Sequence, residues 1–160
     1  PSMTTKRIVY TTVDGGMCVV TPAPQAKFPE ESEDEFVARI VAKDIPPEAS
    51  TVHICEATDI SSDRRYRGAW EQGENKLPFV EMGKARDIHR NKIRQARTLE
   101  FAKNDIAAQN AILDNDSVAQ AAAIEHRDAL RDAPADPAIN AASDSDELAL
   151  VWPAGLTEVD

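Results

Sequence analysis

From Met82 to Leu113 the chain carries no proline, is rich in helix formers, and repeats its apolar positions with a helical period. Wound at about 100° per residue, Ala85, Ile88, Ala96, Leu99, Ala102, Ile106 and Leu113 share one sector. Arg86, Arg90, Arg94 and Arg97 form a stripe on the opposite side. The pattern predicts one long helix, 82–113, with an oily edge and an arginine edge. Asp114-Asn115-Asp116 is a turn, and Ser117-Val118-Ala119-Gln120 has the spacing of a capping box, so a second helix is predicted over 117–132. Val118, Ala119, Ala122, Ala123, Ala129 and Leu130 lie on its broad apolar face. A connection this short makes the two helices antiparallel neighbours. The second is about half the length of the first, which leaves the basic N-terminal part of the long helix for another contact. Asp136-Pro137 then offers a cap and a first-position proline for a short helix over 137–142. Ser143 or Ser145 caps another over 145–152, and Trp152 is expected to dock on the hairpin.

Ahead of Met82 the pattern changes to that of strands. Arg7 to Thr12 and Met17 to Thr21 are β-branched runs joined by Val13-Asp14-Gly15-Gly16, in which Asp-Gly supplies the positive φ of a tight hairpin. Pro22, Pro24 and Pro29 exclude a central strand, and Glu31 to Lys43 reads as an amphipathic helix with Phe36, Val37, Ile40 and Val41 on one side. Thr51 to Ala57 alternates as a third strand, with Val52, Ile54 and Glu56 on one face and His53 and Cys55 on the other. Leu77 to Val80 is a fourth short strand. The expectation is an α+β chain: a small antiparallel β-rich head with one helix over 3–81, followed by a helical arm over 82–160. Pro1 and Ser2, ahead of Met3, read as an expression remnant.

Charge sharpens this division. The net charge is −10, and from Asn104 onward Arg127 and Arg131 face twelve acids, so the last third alone carries that deficit. An acidic chain is repelled by nucleic acid and anionic membranes, and the balance argues for protein partners. No apolar run approaches the length of a membrane span, and PSMTTKR lacks the apolar core of a signal peptide, so a cytoplasmic chain is expected. Only 5% of residues are aromatic, and alanines crowd the region after Ala107, which predicts close, thin helix contacts. Cys18 and Cys55 sit in no CxxC setting and read as buried thiols, with a disulfide between neighbouring strands left open.

Candidate chemistry is sparse. His53, His89 and His126 form no i, i+4 pair and no HExxH. His53 reads as a strand residue, His126 as a hydrogen-bonded residue in the alanine-rich face, and His89 as solvated beside the arginines. Asp14-Gly15-Gly16 has no P-loop or dinucleotide pattern around it, and no nucleophile elbow or partnered carboxylate pair is present, so neither catalysis nor a cofactor is expected. The arginine stripe is the most distinctive constellation. Its four guanidinium groups suit bidentate binding of carboxylates or phosphates on a partner. The plainer alternative is a solvated face, or one paired with the acidic tail of the same chain. In the head, Tyr66 and Trp70 with Arg64, Arg65 and Arg67 suit a cation–π surface for a partner or for single-stranded nucleic acid, and the plainer alternative is that Trp70 plugs the small sheet and the arginines are solvated.

In order along the chain, RIVYTTVDGGMCVVTPAP, DIPPEA, DISSDRRYRGAW, KARDIHRNKIRQAR, ALRDAPADPAINAA and DELALVWP resemble small proteins encoded near the tail genes of bacteriophages and prophages, grouped with tail-fibre assembly proteins. That resemblance implies a non-enzymatic protein that accompanies, folds or decorates a tail or fibre component, acting in the host cytoplasm during assembly or kept in the virion. Arg86, Arg90, Arg94 and Arg97 on the arm, with Tyr66, Arg67 and Trp70 on the head, are the candidate partner-binding residues, and the exposed part of the long helix suits a homodimer. The rival expectation, from the acids after Asn104, is a phage-encoded inhibitor that mimics nucleic acid and blocks a host defence or DNA-processing protein.

Overall fold

The computed structural model describes residues 5–160, so the reading of Pro1 and Ser2 lies outside the described residues. The chain is α+β and divides into two compact units, Pro1–Glu81 and Met82–Asp160.

The first unit starts with the expected hairpin. Strands β1 (Lys6–Thr11) and β2 (Met17–Val20) pair antiparallel, with Ile8 opposite Val20 and Tyr10 opposite Cys18. Gly15 takes a φ of +85° in the turn, which the Thr12 N–H closes by donating to the Gly16 carbonyl at 2.8 Å. Helix α1 (Glu33–Asp44) begins two residues later than the acidic run suggests, because Ser32 is its cap. The Ser32 hydroxyl accepts from the Glu35 N–H at 3.1 Å, and the Glu35 carboxylate accepts from the Ser32 N–H at 2.9 Å. This reciprocal box satisfies two of the donors that a helix start otherwise leaves open. Phe36, Val37 and Ile40 of α1 bury against Ile8, with Val20, Val41 and Ile45 at the margin of the cluster.

Strand β3 (Ser50–Glu56) lies on the other side of β1, giving the order β2-β1-β3, and its register slips between Val9 and Thr11. Strands β4 (Trp70–Gln72) and β5 (Pro78–Val80) form a separate two-stranded hairpin. Gln72 ties this hairpin to the larger sheet. Its Nε2 donates to the Thr51 carbonyl at 2.9 Å, and its Oε1 accepts from the Thr11 hydroxyl at 2.5 Å. Both thiols are free, with Cys55 buried and Cys18 half-buried.

The second unit is built on α2 (Met82–Leu113), with α3 (Ser117–Asp132) running back beside it. Asp116 rather than Ser117 caps α3, its carboxylate accepting from the Ala119 N–H at 3.0 Å. Helices α4 (Pro137–Ala141) and α5 (Ser145–Leu150) are capped by Asp136 and Asp144, so neither Ser143 nor Ser145 is the cap of the last helix. An aspartate binds the first-turn N–H as well as a hydroxyl does and adds a charge favoured at that end of the helix.

Apart from Ala85, the oily sector of α2 is not its packed face. The buried residues are Ala85, His89, Ile93, Asn104 and Ala111, while Leu99 is 65% exposed and Ile106 60%. Alanines on α2 and α3 permit close approach, and the Asn104 side chain donates to the Ala123 carbonyl at 2.8 Å in the seam between them. The N-terminal half of α2 is not left vacant either: α5 and the segment after α3 pack on it. In dilute protein, urea titration should show Ile93→Ala costing about 2–5 kcal/mol of stability and Leu99→Ala less than about 0.5 kcal/mol. Equal costs would mean that the packed face has been misassigned.

Candidate functional site

Helix ends set the geometry of the second unit. The last carbonyls of a helix have no intrahelical donor and carry the negative end of its dipole, so cations gather there. Arg97 of α2 donates through Nη1 to the carbonyls of Leu130 and Arg131, both at 3.0 Å, at the end of α3. Arg86, three turns earlier, donates to Ile139 O at 3.2 Å and Ala142 O at 2.9 Å at the end of α4. Arg90 bridges Asp87, at 3.0 Å, and the Asn140 side chain. Arg94 is exposed and bonds the Asn91 side chain of its own helix at 2.7 Å. The arginine stripe therefore works largely within the chain, and its main acceptors are carbonyls rather than the carboxylates of the acidic tail.

His89 is a correction to the solvated position expected for it. It is 3% exposed, its Nε2 lies 2.5 Å from the Val151 carbonyl, and its ring meets Trp152 edge-on at 5.7 Å. A carbonyl can only accept, so Nε2 carries the proton in the neutral ring. Burial holds the imidazole below its ordinary pKa, against the opposing pull of the Val151 carbonyl. Trp152 thus docks on the hairpin as expected, and its indole N–H donates to the Leu156 carbonyl at 2.7 Å. His126 is only half-buried and bonds Glu100 at 3.1 Å. It borders an open cavity of about 260 Å³ whose walls include Ile93, Leu130, Val151 and Trp152, and whose lining has no hydroxyl, thiol or amine side chain.

In the first unit the aromatic platform does not form. Tyr66 is 3% exposed and Trp70 5%, so Trp70 plugs the small hairpin, with the Arg64 guanidinium over its ring at 5.6 Å. Arg67 is exposed beside them. Among the described residues no group of His, Cys, Asp and Glu is arranged to hold a metal ion, and no helix is long and apolar enough to cross a membrane.

Among its exposed residues the second unit carries several large aliphatic side chains. Leu99, Ile106, Ile112 and Leu113 of α2, and Val118 and Ile124 of α3, are each more than half exposed. Scattered apolar residues are ordinary on a surface, whereas large aliphatic side chains in one row, as Leu99, Ile106 and Leu113 are along α2, suit a protein-binding face. Ile112 and Ile124 were not singled out by sequence reasoning, and Val118, expected on the apolar face of α3, stands exposed instead; the usable signal was the seven-residue spacing of Leu99, Ile106 and Leu113 on α2.

The two capping arginines should behave differently from Arg94. In urea titration Arg86→Met and Arg97→Met should each cost about 1.5–3 kcal/mol, the range for hydrogen bonds made by charged groups, while Arg94→Met stays within about 0.5 kcal/mol. Uniform small effects along the stripe would show that the carbonyl contacts do not hold the arm together. Compared with models of known protein families, with curated proteins and with solved structures, the chain matches none.

Proposed function

We propose that the protein acts by binding another protein through its helical arm, without catalysis, as an assembly chaperone, adaptor or minor virion component for a bacteriophage tail or tail fibre. The observation that carries the binding half of this reading is the aliphatic surface of the α2–α3 hairpin. Val118 is 79% exposed at the start of α3, and Ile112 and Ile124 stand out from the two helices. Exposed aliphatic side chains on a helix suit the groove or helix of a partner, which gains by removing them from water. The tail or fibre half rests on the resemblance of RIVYTTVDGGMCVVTPAP, KARDIHRNKIRQAR and DELALVWP to phage tail-region proteins. Such a protein works in the host cytoplasm while tails assemble.

Arg86 and Arg97 belong to the scaffold of this surface rather than to its contacts, and the buried Tyr66 and Trp70 stand in the same relation to the first unit. Arg94 and Arg67 are the candidate arginines that are exposed, and Arg86, Arg90 and Arg97 are each half-buried. The nucleic-acid mimic gains no comparable support. Asp116, Asp136 and Asp144 accept from backbone N–H groups as caps, and Asp128 and Asp132 pair with Arg131.

The test is affinity capture with the tagged full-length chain from a prophage-induced host lysate, alongside a variant carrying Val118→Asp and Ile124→Gln. Asp near the first turn of α3 suits the helix dipole, so the variant should stay folded by circular dichroism. Recovery of a tail or fibre component by the native chain, reduced at least tenfold by the variant, is the expected result. Recovery of a host nuclease or other nucleic-acid-binding complex instead would overturn it.

A further inference from the structure

The outward row of α2 has a spacing that points to a particular occupant. Ile88, Lys92, Gln95, Leu99, Ala102, Ile106, Gln109 and Leu113 follow one another in alternating steps of four and three, and so form a single seam opposite the face that packs on α3. A repeat of 3.5 residues is the signature of a helix that packs lengthwise against another helix of the same period. From Ile88 to Leu113 the seam is about 38 Å long at 1.5 Å per residue. Leu99, Ile106 and Leu113 of this row are exposed, and Ile88 and Lys92 at its N-terminal end are half-buried.

Charge along α2 identifies the match. From Met82 to Arg97 there are six basic residues and one acid, and from Thr98 to Asp116 there are four acids and one lysine. A helix segregated in this way complements itself only when reversed, because the basic half then runs beside the acidic half of the other copy. A parallel arrangement would set basic half against basic half and stack Lys92 on Lys92 in the seam, at a cost in stability.

We infer that α2 is the seam of an antiparallel homodimer, in which the Ile88–Leu113 row of one copy packs against the same row of a second copy in reverse. The two-fold axis passes between the levels of Leu99 and Ala102. Leu99 of one copy meets Ala102 of the other, so a large side chain faces a small one, and Leu113 meets Ile88 at each end. Near those ends Lys84 comes alongside the acidic turn Asp114–Asp116 of the other copy. This rests on the reading of the arm as a protein-binding element, but it names a second copy of the chain as the occupant of the α2 row and leaves Val118 and Ile124 of α3 for a different protein.

The experiment is sedimentation equilibrium of the purified full chain over about a hundredfold range of concentration, which separates a self-associating chain from a monomer by mass action. The expected mass is twice the 17.5 kDa of one chain. Leu99→Glu with Ile106→Glu should raise the dissociation constant at least tenfold and leave the circular dichroism spectrum unchanged, because both side chains are exposed. Orientation is read by mixing two variants, Ile88→Cys and Leu113→Cys, each with Cys18→Ser and Cys55→Ala. Oxidation should join position 88 of one chain to position 113 of the other in the mixture, with neither variant joining to itself. A monomer at every concentration, a dimer indifferent to L99E/I106E, or self-joining of each cysteine variant would overturn the inference. Because no lysate partner is involved, a dimer without captured tail protein would count against the proposed function alone, and capture by a monomeric chain against the homodimer alone.

Discussion

The second unit depends on one constraint: carbonyl oxygens at helix ends and in the chain after α5 must find donors, and α2 supplies them. Arg97 serves the end of α3, Arg86 the end of α4, His89 the Val151 carbonyl, and Asn104 a carbonyl within α3. Each donor sits on one side of α2, and together they turn that side inward. Buried polar groups without partners cost more than a well-placed aliphatic side chain returns, so the helix is oriented by its hydrogen bonds and its alanines. The large aliphatics at Leu99, Ile106 and Leu113 are left outside as a consequence.

This accounts for what the sequence did and did not disclose. The existence and span of α2, the antiparallel return of α3, and the Asp-Gly hairpin were legible because each is a local matter of period, proline placement and turn chemistry. The phase of α2 was not, since hydropathy ranks Leu99 above His89 and Asn104 and cannot register carbonyls supplied from residues 19 to 62 positions away. His89 illustrates the point: beside Arg90 in sequence it reads as solvated, and only the return of the chain at Val151 and Trp152 encloses it. Strand β4 was hidden for a different reason. Trp70-Glu71-Gln72 is three residues long, follows directly on a turn, and is fixed by Gln72 bonding to Thr51 and Thr11, partners remote in sequence.

The same reasoning divides the candidate residues. The arginine stripe drew notice as a row of charges, and three of its four members turn out to be tied to the rest of the arm. A row of like charges on a helix is thus as consistent with serving the ends of neighbouring helices as with greeting a partner. Tyr66 and Trp70 follow the same pattern in the first unit, where the aromatic rings are buried and the arginines around them face water. The proposed roles rest instead on the exposed aliphatic side chains of α2 and α3.

The most direct test of the orientation of α2 is a nuclear Overhauser map of the arm in solution with the methyl groups and side-chain amides assigned. Contacts from Asn104 and Ala111 to Ala123 and Gln120 of α3, and from Ile93 to Trp152, are predicted, with none from Leu99 or Ile106 to α3. Contacts from the Leu99 and Ile106 methyl groups to Ala123, in place of those from Asn104, would contradict the account.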